Sequence, residues 1–197
     1  MAQLAVDDFN RANASTLGSR WTKLSGFNDL QVISSQAKAT TADADNVSAF
    51  TALGALNVDQ YAQMTLATAG NDGGPIVRSD TTSTFYLLNT NGASYIVYKC
   101  LLGTFTSLNT VSVTQTAGDI TYFEVQGTSI LSKQNGTTRN NFTDLAIDGV
   151  IVGGGYPGLQ AFDTVIVYDN FVAGDFQSHS EFLFQVAIGA TIGTAAS

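Results

Sequence analysis

Acid–base chemistry needs titratable side chains in pairs, and this chain holds few of them. Cleaving a glycosidic bond takes two carboxylates, an acid for the leaving oxygen and a nucleophile or base, about 5–5.5 Å or about 6.5–9.5 Å apart. The only glutamates are Glu124 and Glu181, far apart in sequence. Asp7 and Asp8 are adjacent, so on a strand they point to opposite faces. Asp43 and Asp45 sit in an Ala/Thr/Asp stretch that reads as a solvated loop. Asp144 and Asp148 are spaced to share a helical face, but no neighbouring base or cation supports them. A Ser-His-Asp arrangement has to use His179, the one histidine, and no G-x-S-x-G accompanies it. Cys100, in the apolar run Tyr98 to Leu102, reads as a small core residue and not a reactive thiol. One cysteine excludes an intrachain disulfide, and one cysteine with one histidine excludes the usual zinc sites. Gly153 to Gly158 is glycine-rich but lacks G-K-[ST] and a following helix, so it reads as a turn. The chain is expected to be non-enzymatic.

Binding chemistry is better supplied. Sugar rings stack on aromatic faces while neighbouring polar groups select hydroxyls. Tyr61, Tyr86, Tyr95, Tyr98, Tyr156 and Trp21 are the available aromatics. Strand alternation turns half of the strand tyrosines inward. Tyr156, in the glycine-rich turn, and Tyr86 are taken as the stacking candidates, with Trp21 assigned to the core.

Composition bounds the architecture around these residues. The 197 residues suit one domain, alone or with an arm, and a 44% hydrophobic share is enough to bury a core. Charged residues are 12%, and the net charge of −8 repels phosphate backbones, which argues against nucleic acid as the partner. No run approaches the roughly 18 apolar residues that span a bilayer. Met1 to Asn10 shows no basic region followed by an apolar one, so the expectation is synthesis in the cytosol without a secretion signal and without a membrane partner.

Alternation of apolar and polar residues dominates. Strands are predicted at 30–34, 61–66, 75–78, 84–88, 95–99, 120–126, 129–133 and 165–171. Gly73-Gly74, 89–92, Gly127-Thr128 and Asn135-Gly136 read as the breaks between them. One helical turn is expected within Asn141 to Asp148. Short strands at this spacing predict an all-β fold, an antiparallel two-sheet β-sandwich. The body is expected over 1–176. The remainder, 177–197, carries Phe182, Phe184, Val186 and Ile188 in an apolar run. This stretch is either an edge strand on its own domain or an extended arm for assembly, since an unpaired apolar strand is a template for another chain.

The order of segments resembles the concanavalin A-like lectin/glucanase superfamily, in its laminin-G-like jelly-roll branch. Asp7-Asp8-Phe9-Asn10-Arg11 with Leu17-Gly18 and Trp21 is similar to the opening of such domains. Gly74 to Asp80 followed by Phe85 to Leu88, Tyr122 to Gly127 with Lys133 to Gly136, and Tyr156 to Leu159 with Asp169-Asn170-Phe171 follow in the expected order, covering about residues 6–176. Catalytic members carry two glutamates four residues apart on one strand, a pattern absent here. The resemblance also implies a structural calcium tying first and last strands, for which Asp7, Asp8 and Asp169 are the candidate oxygen ligands. No other cofactor is expected.

Two functional expectations follow, with a degenerate hydrolase or lyase as a third that lacks acid–base groups. One is a virion protein, such as a phage capsid decoration protein, assembling as a homo-oligomer or on capsid protein through repeated interfaces. The other is a carbohydrate-binding module with a glycan partner.

Overall fold

The computed structural model describes residues 4–68, 72–145, 154–165 and 167–176, and among these it is built from strands. In chain order they are β1 (Leu4–Asp7), β2 (Trp21–Lys23), β3 (Leu30–Ile33), β4 (Gln36–Ala39) and β5 (Asn46–Phe50). Then come β6 (Gln60–Leu66), β7 (Gly73–Ser79), β8 (Phe85–Thr90), β9 (Ser94–Leu101) and β10 (Thr104–Ser112). The last five are β11 (Ile120–Gln126), β12 (Ser129–Gln134), β13 (Thr137–Thr143), β14 (Tyr156–Ala161) and β15 (Val167–Asp175).

They form two antiparallel sheets packed as a jelly-roll sandwich. One has eight strands in the order β13-β12-β11-β6-β15-β4-β3, with β1 also paired to β15. The other has seven in the order β10-β9-β8-β7-β14-β5-β2. Neighbours such as β6 and β15 are distant in sequence, so the expected hairpins are joined by long-range pairings.

Alternation explains the eight-stranded sheet. In β6, Ala62, Met64 and Leu66 point into the core while Tyr61, Gln63 and Thr65 are half-exposed. The core between the sheets centres on Phe9, Trp21, Phe50 and Phe171, with Trp21 4.9 Å from the Phe171 ring and 5.3 Å from Phe50. Burying one such side chain contributes roughly 1.5–3 kcal/mol. The turns are chemically specified. Gln134 pairs with Thr137 across Asn135-Gly136, whose φ values of 50° and 80° are those a two-residue hairpin of this hand requires. Gly127-Thr128 likewise joins β11 to β12.

Three readings of the sequence are corrected. Gly73-Gly74 is no break; both residues lie inside β7. They are glycines because neighbours crowd them: a Cβ on Gly74 would meet the Leu88 carbonyl oxygen, and one on Gly73 the Tyr168 hydroxyl. The helical turn expected from Asn141 is instead the end of β13, held by the pairs Leu131–Asn141 and Ile130–Phe142; 146–148 lie outside the described residues. Tyr156 to Gly158 is not a turn either. It opens β14, which is paired on both sides, and Gly158 leaves room for the Ser48 carbonyl. The final strong strand runs Val167–Asp175, further than 165–171. Phe182, Phe184, Val186, Ile188 and His179 lie outside the described residues.

Candidate functional site

The outer face of the seven-stranded sheet is unusually apolar. Val47, Ala49, Ile76, Phe85, Leu87 and Cys100 form a second cluster there, on the side away from the main core. Alternation produces it: in β8, Tyr86 and Leu88 face inward, so Phe85, Leu87 and Asn89 face out. Half-buried aromatics cover this face. Phe105 of β10 stands edge-on to Tyr98 of β9 at 6.0 Å and to Phe85 at 5.8 Å, and Phe27 lies 5.8 Å from Phe85.

Beside this row is a pocket of about 200 Å³. Leu87, Phe105 and Tyr98 form its apolar side and Phe162, 36% exposed, stands at its rim. Its polar groups are Asp45, Asp72, Asn89 and Gln160. A second hollow of about 440 Å³, lined by Phe27, Asn28 and Gly103 among others, shares Asp45 with it.

Backbone pairing places the polar groups. Gln160 in β14 lies between Val47 of β5 and Gly74 of β7, while Asp45 immediately precedes β5. The Gln160 side-chain nitrogen donates to Asp45 Oδ1 at 2.7 Å. A carboxylate can only accept, so the amide is oriented with its oxygen the other way. That oxygen, Oε1, is buried without a hydrogen-bond partner in a residue only 2% exposed. Asn89 Oδ1 is likewise buried and unpartnered, in a residue 6% exposed. Such atoms are uncommon, because an unsatisfied buried acceptor costs about 1–3 kcal/mol. Burial raises the Asp45 pKa; the Gln160 hydrogen bond opposes this and the Asp72 charge adds to it. Burial and the Asp72 charge also push up the Tyr98 hydroxyl. The pocket is therefore a region of negative potential, and two carbonyl oxygens buried within its lining residues lack a donor.

The predicted site residues fall as follows. Tyr156 is half-buried at the start of β14 and packs on the same outer cluster, outside the pocket lining. Tyr86 is a correction: it is fully buried between the sheets and its hydroxyl donates to Asp144 Oδ2 at 2.9 Å, so it offers no face to a sugar. Tyr95 is also buried, hydrogen-bonded to Thr121, and Trp21 is in the core as expected. Tyr61 stacks on Tyr122 at 5.7 Å on the other sheet. Glu124 accepts from the Tyr122 hydroxyl at 2.6 Å there. Cys100 is buried, as expected, and burial pushes its thiol up to about 12.

The calcium candidates are placed as follows. Asp7 faces inward from β1 and is saturated: Arg11 Nη1 donates to it at 2.6 Å, Trp21 Nε1 at 2.7 Å and the Phe9 amide at 2.9 Å. A guanidinium already neutralises it. Asp8, on the opposite face, accepts from the Asn10 amide, and Asp169 from the Asn170 amide. Among the described residues no group of three or more acidic, His or Cys side chains is placed to hold a metal.

Sequence reasoning missed Asn89, Gln160, Asp72, Phe105 and Phe162, and dismissed Asp45 as solvated. Only Asn89 carried a local signal, since it continues the outward register of Phe85 and Leu87.

No family model matches the chain, and no curated protein matches it. Solved structures share its fold. A carbohydrate-binding module, CBM66 from Bacillus subtilis, superposes with a TM-score of 0.60 at 12% identity, covering 77% of this chain and 91% of that one. A prokaryotic β-1,3-1,4-glucanase (lichenase) derived from a mouse hindgut metagenome gives 0.54 at 11% identity, covering 87% and 98%. The CBM2 module of the Lactobacillus casei BL23 phage J-1 evolved Dit gives 0.50 at 11% identity, covering 90% and 99%. The chain thus has the two-sheet jelly-roll fold found in carbohydrate-binding modules and in glucanases alike.

Proposed function

We propose that this protein is a non-catalytic carbohydrate-binding module that takes its ligand on the outer face of the seven-stranded sheet. The observation that carries this reading is the pair of buried, unpartnered oxygens, Gln160 Oε1 and Asn89 Oδ1, in a pocket edged by Tyr98, Phe105 and Phe162. A sugar supplies what the pocket lacks, hydroxyl donors for the orphaned acceptors and C–H faces for the rings. Fold likeness to CBM66 supports the same reading. Binding without turnover is favoured because Asp45, the carboxylate with the raised pKa, is tied to Gln160. A glycan array followed by a reducing-end assay on each bound glycan tests it. The expected result is binding with no release of reducing ends. Turnover abolished by both Asp45→Asn and Asp72→Asn makes the protein a hydrolase, and silence across the array at millimolar sugar removes the binding reading.

A virion location is a second reading, supported by the fold likeness to the phage Dit module. In this reading the present chain holds a host surface glycan from the particle. Detection on purified particles, together with a native mass above the monomer, is the expected outcome; absence from particles ends it.

A further inference from the structure

We infer that the pocket beside Gln160 accepts neutral sugars through their hydroxyl donors and turns away uronates and other anionic sugars. This rests on the binding reading above and deepens it. Among the described residues that line the pocket, the charged groups are Asp45 and Asp72, both negative, and neither Lys nor Arg is present. Ion pairs among the described residues engage cations elsewhere: Arg11 with Asp7, Arg78 with Asp59 and Lys99 with Asp144. The two oxygens without partners, Gln160 Oε1 and Asn89 Oδ1, are carbonyl acceptors, and the carboxylates beside them are acceptors too.

A ligand is matched to such a site by what it donates. Gln160 Oε1 and Asn89 Oδ1 are closed to solvent in the ligand-free structure. A neutral pyranose or furanose, which carries several O–H donors, therefore reaches them as the two side chains shift toward the pocket, and each contact completes a hydrogen bond that folding left unmade. A sugar carboxylate brings two more acceptors and a negative charge. It meets Asp45, which is half-buried and so less screened by water, and the exposed Asp72 beside it. The overall charge of −8 adds a repulsive field on approach. Specificity here comes from rejecting the wrong partner as much as from holding the right one.

Isothermal titration of the full chain tests this. The neutral probes are laminarihexaose, xylohexaose, cellohexaose and levan; the acidic probes are polygalacturonate and oligomannuronate. Binding to at least one neutral probe and to neither acidic one is expected. Asn89→Leu and Gln160→Leu should each weaken the neutral ligand about tenfold or more. Near-ultraviolet circular dichroism confirms that each variant is folded. Tyr61→Ala, on the opposite sheet, should leave affinity unchanged. Asp72→Lys, at an exposed position, should bring measurable binding of an acidic probe. A wild-type complex with a uronate overturns the inference, as does neutral binding undiminished in both leucine variants. Loss of neutral binding in EDTA also overturns it, since the oxygens would then be holding a cation and not the sugar. Failure of every probe, neutral and acidic, falls instead on the binding reading itself.

Discussion

Trp21 Nε1 donates a 2.7 Å hydrogen bond to Asp7 Oδ2, tying the indole at the centre of the core to the last residue of the first strand. Arg11 closes the other side of the same carboxylate, and its Nη2 also donates to the Leu17 carbonyl at 2.6 Å. The opening segment is thereby bound to the β1–β15 edge, where Asp7 pairs with Phe171. Asp7→Ala leaves a buried indole N–H and a guanidinium without their acceptor. It is expected to lower the unfolding free energy by about 3 kcal/mol. Denaturant unfolding followed by the fluorescence of Trp21, the one tryptophan, measures it.

Acid titration should separate two carboxylates of opposite sign. Burial raises the Asp7 pKa, but hydrogen bonds from Arg11, Trp21 and Phe9 outweigh it and hold the group below its ordinary 3.8. The unfolded chain then takes the proton first, so the stability Asp7 contributes is full above the ordinary value and is lost as pH falls through the folded one. Asp45 is raised by burial, so the native state binds its proton more tightly, and stability falls as pH rises from the ordinary value through the folded one. Melting curves from about pH 2 to about pH 7 check both. Asp7→Asn should flatten the acid limb, and Asp45→Asn should reduce the decline above it.

Asn89→Leu should separate stability from binding. It removes a buried acceptor that has no partner and adds an apolar side chain beside Leu87. Unfolding free energy should stay level or rise by about 1 kcal/mol while the affinity for neutral sugar drops. A clear loss of stability in the same melts would show that the Asn89 amide is structural.

Gly74→Ala should be among the most damaging small substitutions. Its Cβ would press on the Leu88 carbonyl oxygen inside the β7–β8 pairing, and a cost of about 3 kcal/mol or more is expected. Gly26→Ala meets nothing within 4 Å and suffers only its φ of +84°, for a cost of about 1–2 kcal/mol. Comparing the two by chemical denaturation separates crowding from backbone strain.

Cys100 should be inert in the native protein. Its thiol is buried, pushed up to about 12, and donates to the Ser83 carbonyl at 3.2 Å. A chromogenic disulfide reagent at about pH 8 should register no thiol until denaturant is added, and one thereafter.

The sandwich was legible wherever one strand face met the core and the other met water. Gln60–Leu66 and Ile120–Gln126 show that pattern, and both are strands with that inward set. Strands buried on both faces concealed themselves. β5 and β7 lack alternation because the outer apolar cluster covers their second face. Gly73-Gly74 therefore looked like a turn, and Asn46–Phe50 carried no strand signal. Tyr86 was misjudged because its face depends on which side of β8 meets the opposite sheet.

Local chemistry in the chain determined what could be built: short alternating strands and the Asn-Gly and Gly-Thr turns between them. Each of these depends on residues within a few positions of one another. The pocket depends on nothing local. Asp45 precedes β5, Asn89 stands on β8 and Gln160 on β14, and they meet because β14 pairs between β5 and β7, with β8 alongside. Only that long-range hydrogen bonding decides which polar side chains share a face, and only burial on that face leaves two of their oxygens waiting for a donor.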